Sequence, residues 1–150
     1  MSAYRHEGGC HCGAIGVLLE TPRAPDHQVI GLCQCGFCRS HNARAFRDPA
    51  SHLTLTAHEP EQVRHYSFGL GVSTQVICGR CGVYVAMLMR DGAGLLSVMN
   101  ISTLADRSAF THPGNPSDYD AETVAERLAR RRAGWMPARL IDWPELPILP

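Results

Sequence analysis

Short runs of apolar, β-branched and aromatic residues alternate with turn-forming residues along most of the chain. Such runs predict β-strands; they lie at residues 14–19, 29–32, 53–56, 63–68, 74–77, 83–89 and 95–99. Gly, Pro, Asn and Asp separate them and mark the turns. The runs follow one another too closely for helices to fit between them. The pattern therefore predicts a mainly β fold of small antiparallel sheets rather than βαβ units.

The pattern changes in the last quarter of the chain, where a stretch rich in turn formers predicts a surface loop. Asp118 or Asp120 is a candidate N-cap for a short helix that ends at about residue 132. Within this helix Glu126 and Arg130 have the i, i+4 spacing of an ion pair. A short C-terminal helix therefore completes the predicted fold.

The C-terminal stretch, residues 135–150, holds four prolines among apolar residues. Proline lacks the backbone N–H that a strand or helix uses. We therefore expect an extended tail that packs on its own domain or on a neighbouring subunit. The second arrangement would imply a homodimer.

Size and charge narrow the class of protein. A chain of 150 residues suits one domain with a hydrophobic core. Its formal net charge is zero and its pI is about 7.1, which gives no support for nucleic-acid binding through counterion release. The polar start and the lack of a long apolar run predict no membrane span. We expect a soluble cytoplasmic protein, in which thiols stay reduced.

Seven cysteines occur in three clusters, and an odd number cannot pair completely into disulfides. Cysteines this close in sequence are poorly placed for bonds to one another but well placed to present thiolates to one metal ion. Zinc is the metal that such sulfur ligands favour. The clusters are Cys10-His11-Cys12, Cys33-Gln34-Cys35-Gly36-Phe37-Cys38 and Cys78-Gly79-Arg80-Cys81.

The spacing divides the seven cysteines into four and three. The outer pairs, Cys10 with Cys12 and Cys78 with Cys81, would close a four-sulfur site of the structural kind. The middle three would leave a fourth position open, as catalytic zinc sites do. Other interpretations stay open: a second structural zinc with His41 as fourth ligand, redox-active thiols, or ligands exchanged between clusters. The middle cysteines are Cys33, Cys35 and Cys38.

In their order and spacing, the three clusters resemble the glutathione-dependent formaldehyde-activating enzyme family, which shares its domain with centromere protein V. The resemblance implies small sheets pinned by zinc, the Mss4-like or β-tent architecture. It also implies a zinc-binding domain over residues 1–112, with the loop, helix and proline-rich tail of residues 113–150 packed on it. Two zinc ions per chain are expected, one structural and one catalytic.

The activity that the resemblance implies is that of a carbon–sulfur lyase, which adds a glutathione-like thiol to a small aldehyde such as formaldehyde. The catalytic zinc ligands would be Cys33, Cys35 and Cys38. Arg39 and His41 follow this cluster and are candidates for binding the cosubstrate at the mouth of the site.

Arg130-Arg131-Arg132 is the single strongly basic run. It has two interpretations: a contact for nucleic acid or an acidic partner, or a solvated helix C-terminus favoured by the helix dipole. The first would suit the alternative function, a non-enzymatic zinc module that binds nucleic acid or protein. We expect nucleic acid not to be the partner, because the chain as a whole is uncharged.

Overall fold

The computed structural model describes residues 3–147, so the first two and last three residues lie outside it, including the end of the predicted tail. Eleven strands and two α-helices form within the described range, together with four single-turn 3-10 helices. The strands are β1 (Tyr4–Gly9), β2 (Ile15–Thr21), β3 (Gly31–Cys33), β4 (Ala45–Phe46), β5 (His52–Ala57), β6 (Val63–Tyr66), β7 (Thr74–Cys78), β8 (Tyr84–Asp91), β9 (Gly94–Asn100), β10 (Asn115–Ser117) and β11 (Met136–Ile141). The α-helices are α1 (Gly36–Ser40) and α2 (Val124–Gly134).

The strands join in one branched sheet, in the order β1-β2-β5-β11-β9-β4-β3-β10, with β8, β7 and β6 continuing from β9. Strand β9 is the branch point because it pairs with β11, β4 and β8. The mainly β class is confirmed, and each of the seven predicted strands overlaps an observed one. The predicted antiparallel arrangement is wrong at two places, since β3 pairs with β10 and β5 pairs with β11 in parallel.

Strand β11 lies within the sheet, although its sequence predicted only an extended tail. Met136 and Pro137 pair antiparallel with β9, whereas residues 138–141 pair parallel with β5. The strand thus changes partner directly after Pro137, whose side chain is exposed. A proline is tolerated at such a transition, where the ladder is already interrupted. The following segment returns to the core, against which Trp143 and Leu146 pack.

Helix α2 begins one turn later than predicted. Its N-cap is Thr123, whose hydroxyl accepts the Glu126 N–H at 3.2 Å. Asp118 instead accepts the backbone N–H of Asp120 in the preceding loop. The predicted pairing of Glu126 with Arg130 is also wrong, because the Glu126 carboxylate accepts the Thr123 hydroxyl at 3.0 Å. Neither α2 nor any other helix in residues 3–147 has the length and apolar character needed to cross a membrane.

The core lies between the two parts of the branched sheet. Strand β2 alternates between buried and half-buried positions, as expected for a strand with one face on the core. Strand β8 is different: six consecutive residues, 84–89, are buried. Its side chains enter three separate apolar clusters, so both of its faces are covered. One of these clusters surrounds the middle cysteines, so β8 links the core to them.

Candidate metal centre

The outer cysteine pairs meet in space. Cys10 and Cys12 lie in the turn after β1, while Cys78 ends β7 and Cys81 follows in the next turn. Their four sulfur atoms lie within 4.8 Å of one another. The Cys10–Cys12 separation is 3.8 Å and the Cys12–Cys78 separation is 3.5 Å. Zinc–sulfur bonds of about 2.3 Å in a tetrahedron place sulfurs about 3.8 Å apart, so this cluster can hold a zinc ion.

The turns that carry these cysteines direct backbone N–H groups at the sulfurs. Ile15 donates to Cys10 at 3.3 Å, and Cys81 donates to Cys78 at 3.5 Å. Gly13 and Gly82 follow the two motifs with φ of +84° and +77°, a left-handed conformation that favours glycine. Donors of this kind stabilise a thiolate and orient it toward a metal.

The electrostatics of this cluster also favour a cation. Burial raises the pKa of Cys10 to about 12. Burial opposes ionisation of Cys81 too, but hydrogen bonds from the backbone of Cys12 and Val83 outweigh it and lower its pKa to about 6. Thiols that close together cannot all ionise without a compensating charge. A divalent ion supplies that charge.

The middle cluster forms where β3 runs into α1. Cys33 ends β3, Cys35 is the N-cap of α1, and Cys38 lies within that helix and is buried. The three sulfurs lie within 4.8 Å of one another, and the Cys38 N–H donates to the Cys35 sulfur at 3.4 Å. A hydrogen bond from Cys38 lowers the pKa of Cys33 to about 5, and the same pairing raises that of Cys38.

No fourth Cys, His, Asp or Glu joins this cluster within the described part of the chain. The ring of His41, one candidate for that place, packs instead against Phe37 in a tilted arrangement, with centroids 4.6 Å apart. The three thiols therefore fit a zinc ion whose fourth position is left to another ligand.

Two cavities adjoin the middle cluster. The first has a volume of about 60 Å³ and the second about 290 Å³. Both are lined by Cys33, Met87, Tyr119, Arg130 and Arg131. The first is the more apolar, because Val98 and Trp135 complete its wall, and Cys38 also lines it. Reactants bound there would lie next to the three thiols.

The basic run of α2 does not form the solvated helix end that its sequence indicated. Arg130 and Arg127 both bind the carboxylate of Glu122, Arg130 through contacts of 2.7 and 2.8 Å. Arg131 is only 7% exposed and lies over the ring of Trp135. Arg132 alone points outward, to Asp91. Three of the four arginines of the helix, Arg127, Arg130 and Arg131, therefore line the cavities.

Arg39 and His41, predicted at the mouth of the site, lie elsewhere around the cluster. Arg39 lines a separate groove. Cys33 and Cys38 line both this groove and the smaller of the two cavities. His41 belongs to the aromatic group around Phe37 and Tyr84. Their role in binding a cosubstrate stays a prediction.

The cavity residues that sequence reasoning missed are Tyr119, Trp135 and the α2 arginines. They are separated from the middle cysteines by about 80 residues or more, and no local spacing connects the two regions. The sequence did offer one signal for them. The predicted helix carries arginines on more than one face and is directly followed by a tryptophan, which is unusual for a helix that only contacts solvent.

A mainly β domain with one four-cysteine and one three-cysteine cluster defines a zinc-binding class of protein. The family model for the glutathione-dependent formaldehyde-activating enzyme matches residues 5–116, and the chain belongs to this family. The match includes all seven cysteines and ends before α2 and β11. A crystal structure of a Rhodobacter sphaeroides protein from a structural-genomics programme is 24% identical, with a TM-score of 0.45. That alignment covers 66% of this chain and 87% of the other.

Proposed function

We propose that the chain is a zinc-dependent carbon–sulfur lyase that adds a thiol of the glutathione type to a small aldehyde such as formaldehyde. The observation that carries the proposal is the middle cluster: three converging thiols, with no fourth protein ligand in residues 3–147, beside a cavity. In this proposal Cys33, Cys35 and Cys38 hold the catalytic ion, and the four-cysteine cluster holds a structural one. Family membership supports the choice of thiol and aldehyde.

Zinc bound by three cysteines supplies a position at which a substrate thiol is kept as thiolate at neutral pH. The thiol sulfur would form the bond to the carbonyl carbon while the carbonyl π electrons move to oxygen. That oxygen would take up one proton, which balances the proton that the thiol releases. The product is a hemithioacetal, and no oxidant or reductant is needed. The reverse reaction breaks the same carbon–sulfur bond.

The surrounding side chains suit such an addition. Tyr119 accepts a hydrogen bond from Arg47 at 3.3 Å, which leaves its own O–H for an oxygen in the cavity. Met87 and Trp135 are buried and apolar, so they limit the access of water to the reactants. The protein would hold the thiolate and the carbonyl carbon together, which is the main source of acceleration for a reaction of two small molecules.

The test is turnover of formaldehyde with glutathione, followed by exchange NMR because the uncatalysed reaction is itself measurable. We expect Cys35→Ser to lose one zinc equivalent and to lower the catalysed rate by about 100-fold or more, since the thiol is no longer positioned. Ser40→Ala, in the same short helix and exposed, is the matched control. A Cys35→Ser protein with unchanged turnover, or a wild-type rate equal to the uncatalysed one, would contradict the proposal.

The alternative, a non-enzymatic zinc module that contacts nucleic acid, receives little support from the basic run. Glu122 neutralises part of the charge of Arg127 and Arg130, Arg131 is buried, and Arg132 is paired with Asp91. Measured DNA affinity with a steep dependence on salt concentration would reverse this judgement.

A further inference from the structure

Arg131 is a buried cation that forms no ion pair with a carboxylate of the described residues. Its side chain lies on the inner face of α2, with the guanidinium carbon 4.4 Å from the ring centroid of Trp135. Within the described range its Nη1 donates to the Ser73 hydroxyl at 3.0 Å, and its buried Nε has no hydrogen-bond partner. A guanidinium has five N–H donors. At least one buried donor of this side chain, Nε, is therefore left without a partner.

The neighbouring charges make this position less favourable rather than more. Glu122, the nearest acidic residue on the loop before α2, already binds Arg127 and Arg130. Burial, together with the charges of Arg127 and Arg130, lowers the pKa of Arg131 to about 10. The group still keeps its proton at neutral pH. Glu122 and Cys33 favour its charge, but less than burial and the two arginines oppose it. A buried cation without a direct ion pair is costly, so this position favours an anionic ligand.

The position of Arg131 indicates where that anion would bind. Arg131 and Cys33 line both cavities of the middle cluster. Across the two cavities the lining includes four arginines but a single carboxylate, that of Asp120. Met87 and Val98 provide apolar walls between these polar groups. The cavity therefore suits a small ligand with an anionic group at one end and a sulfur at the other.

We propose that Arg131 binds a carboxylate of the thiol cosubstrate, so that the protein selects carboxylate-bearing thiols over neutral ones. A guanidinium matches a carboxylate with two parallel hydrogen bonds, a geometry that lysine cannot reproduce. The role of the sulfur rests on the proposed function, whereas the carboxylate site does not. Arg131 lies outside residues 5–116, which match the family model, so the proposed selectivity would come from the C-terminal segment.

The test compares binding of mercaptoacetate and mercaptoethanol to the zinc-loaded protein by calorimetry. We expect the wild type to prefer mercaptoacetate by at least about tenfold, which corresponds to about 1.4 kcal/mol. The preference should fall to about threefold or less in Arg131→Gln and only partly recover in Arg131→Lys. Arg132→Gln, on the outer side of the same helix, is the matched control and should leave it unchanged. The readout is how the ratio of the two affinities changes from wild type to variant. The two thiols differ in their intrinsic affinity for zinc, but that difference is the same in every variant and cancels.

Butyrate, which has a carboxylate but no sulfur, separates this inference from the proposed function. Its binding is followed through the indole N–H signal of Trp135, beside which the Arg131 guanidinium lies. Arg131-dependent butyrate binding without any thiol–aldehyde turnover would leave the inference standing and remove the proposed function. If the protein turns over thiol and aldehyde but binds mercaptoacetate and butyrate no better than Arg131→Gln does, the inference is wrong and the proposed function stands. A wild type with no preference for mercaptoacetate overturns it even if Arg131→Gln fails to fold.

Discussion

Replacing Met136 by alanine tests whether β11 is a core strand rather than a tail. Met136 is completely buried in the main apolar cluster, and its carbonyl accepts the buried Ser97 hydroxyl at 3.1 Å. The substitution removes three heavy atoms from the core. At about 0.8 kcal/mol for each group the lost transfer free energy is about 2.4 kcal/mol. The cavity left behind adds to this, so we expect a total loss of about 3 kcal/mol, within the range of about 2–5 kcal/mol found for such changes.

The measurement is the free energy of unfolding of the zinc-loaded protein from guanidinium denaturation, with thermal unfolding as a second probe. For a chain of this length a loss of about 3 kcal/mol lowers the melting temperature by about 6–12 °C. Arg139→Ala, at an exposed position of the same strand, is the control and should change stability by less than about 0.5 kcal/mol. The interpretation of β11 is wrong if Met136→Ala is no more destabilising than this control.

Three further predictions concern the metal and the helix. Cys78→Ser is expected to abolish cooperative thermal unfolding, because it opens the buried four-sulfur cluster; survival of a sharp transition after zinc removal would argue against a structural ion. Thr123→Ala should cost about 1 kcal/mol in urea denaturation because the α2 cap is lost, while Thr123→Ser should restore it. The hydrogen bonds from Arg130 hold the pKa of Glu122 below its usual value. The stability that this carboxylate contributes is therefore present above its unfolded pKa of about 4.3 and lost as pH falls through the lower folded value. Glu122→Gln should thus be less stable than wild type at pH about 7 and nearly equal at pH about 2; a difference that does not shrink in acid would contradict this.

The strands that the sequence predicted are those whose own side chains pack on the core. Residues 53–56 and 74–77 are apolar or β-branched in nearly every position, and they form β5 and β7. Strand β1 was missed because its sequence, Tyr-Arg-His-Glu-Gly-Gly, carries little apolar character; it pairs along its whole length with β2 at the edge of the sheet. Backbone pairing with a neighbour, rather than side-chain pattern, determines such a strand.

Strand β11, at the centre of the sheet, likewise could not be predicted from its own side-chain pattern. Its proline and its arginine argue against a buried strand when they are considered alone. In the structure the proline stands where the strand changes partner, and the Arg139 side chain is exposed. Both residues are compatible with the strand only because β5 and β9 approach it from different parts of the sheet. No local rule contains that information.

The two cysteine clusters were predictable because each is built from short motifs whose spacing allows their thiols to converge. Two cysteines in one turn can reach one ion, and the odd total requires an uneven division. The residues around the cavity had no such local signature. Trp135 and Arg131 reach it because α2 and β11 pack beside β8 and β9, which is a long-range consequence of the fold.

The proposed zinc ligands and the proposed carboxylate site come from different parts of the chain. The family match contains every cysteine but ends at residue 116, so all proposed zinc ligands lie within it, whereas Tyr119 and Trp135 of the cavity lie beyond it. The cation that we assign to carboxylate binding comes from α2, and the tryptophan that stacks on it directly precedes β11. Strand β11 in turn is anchored between β5 and β9, so the arginine is held by the same sheet that supports the cysteines. If both proposals hold, a change in this C-terminal segment would alter which thiol is bound while the proposed zinc ligands stay the same.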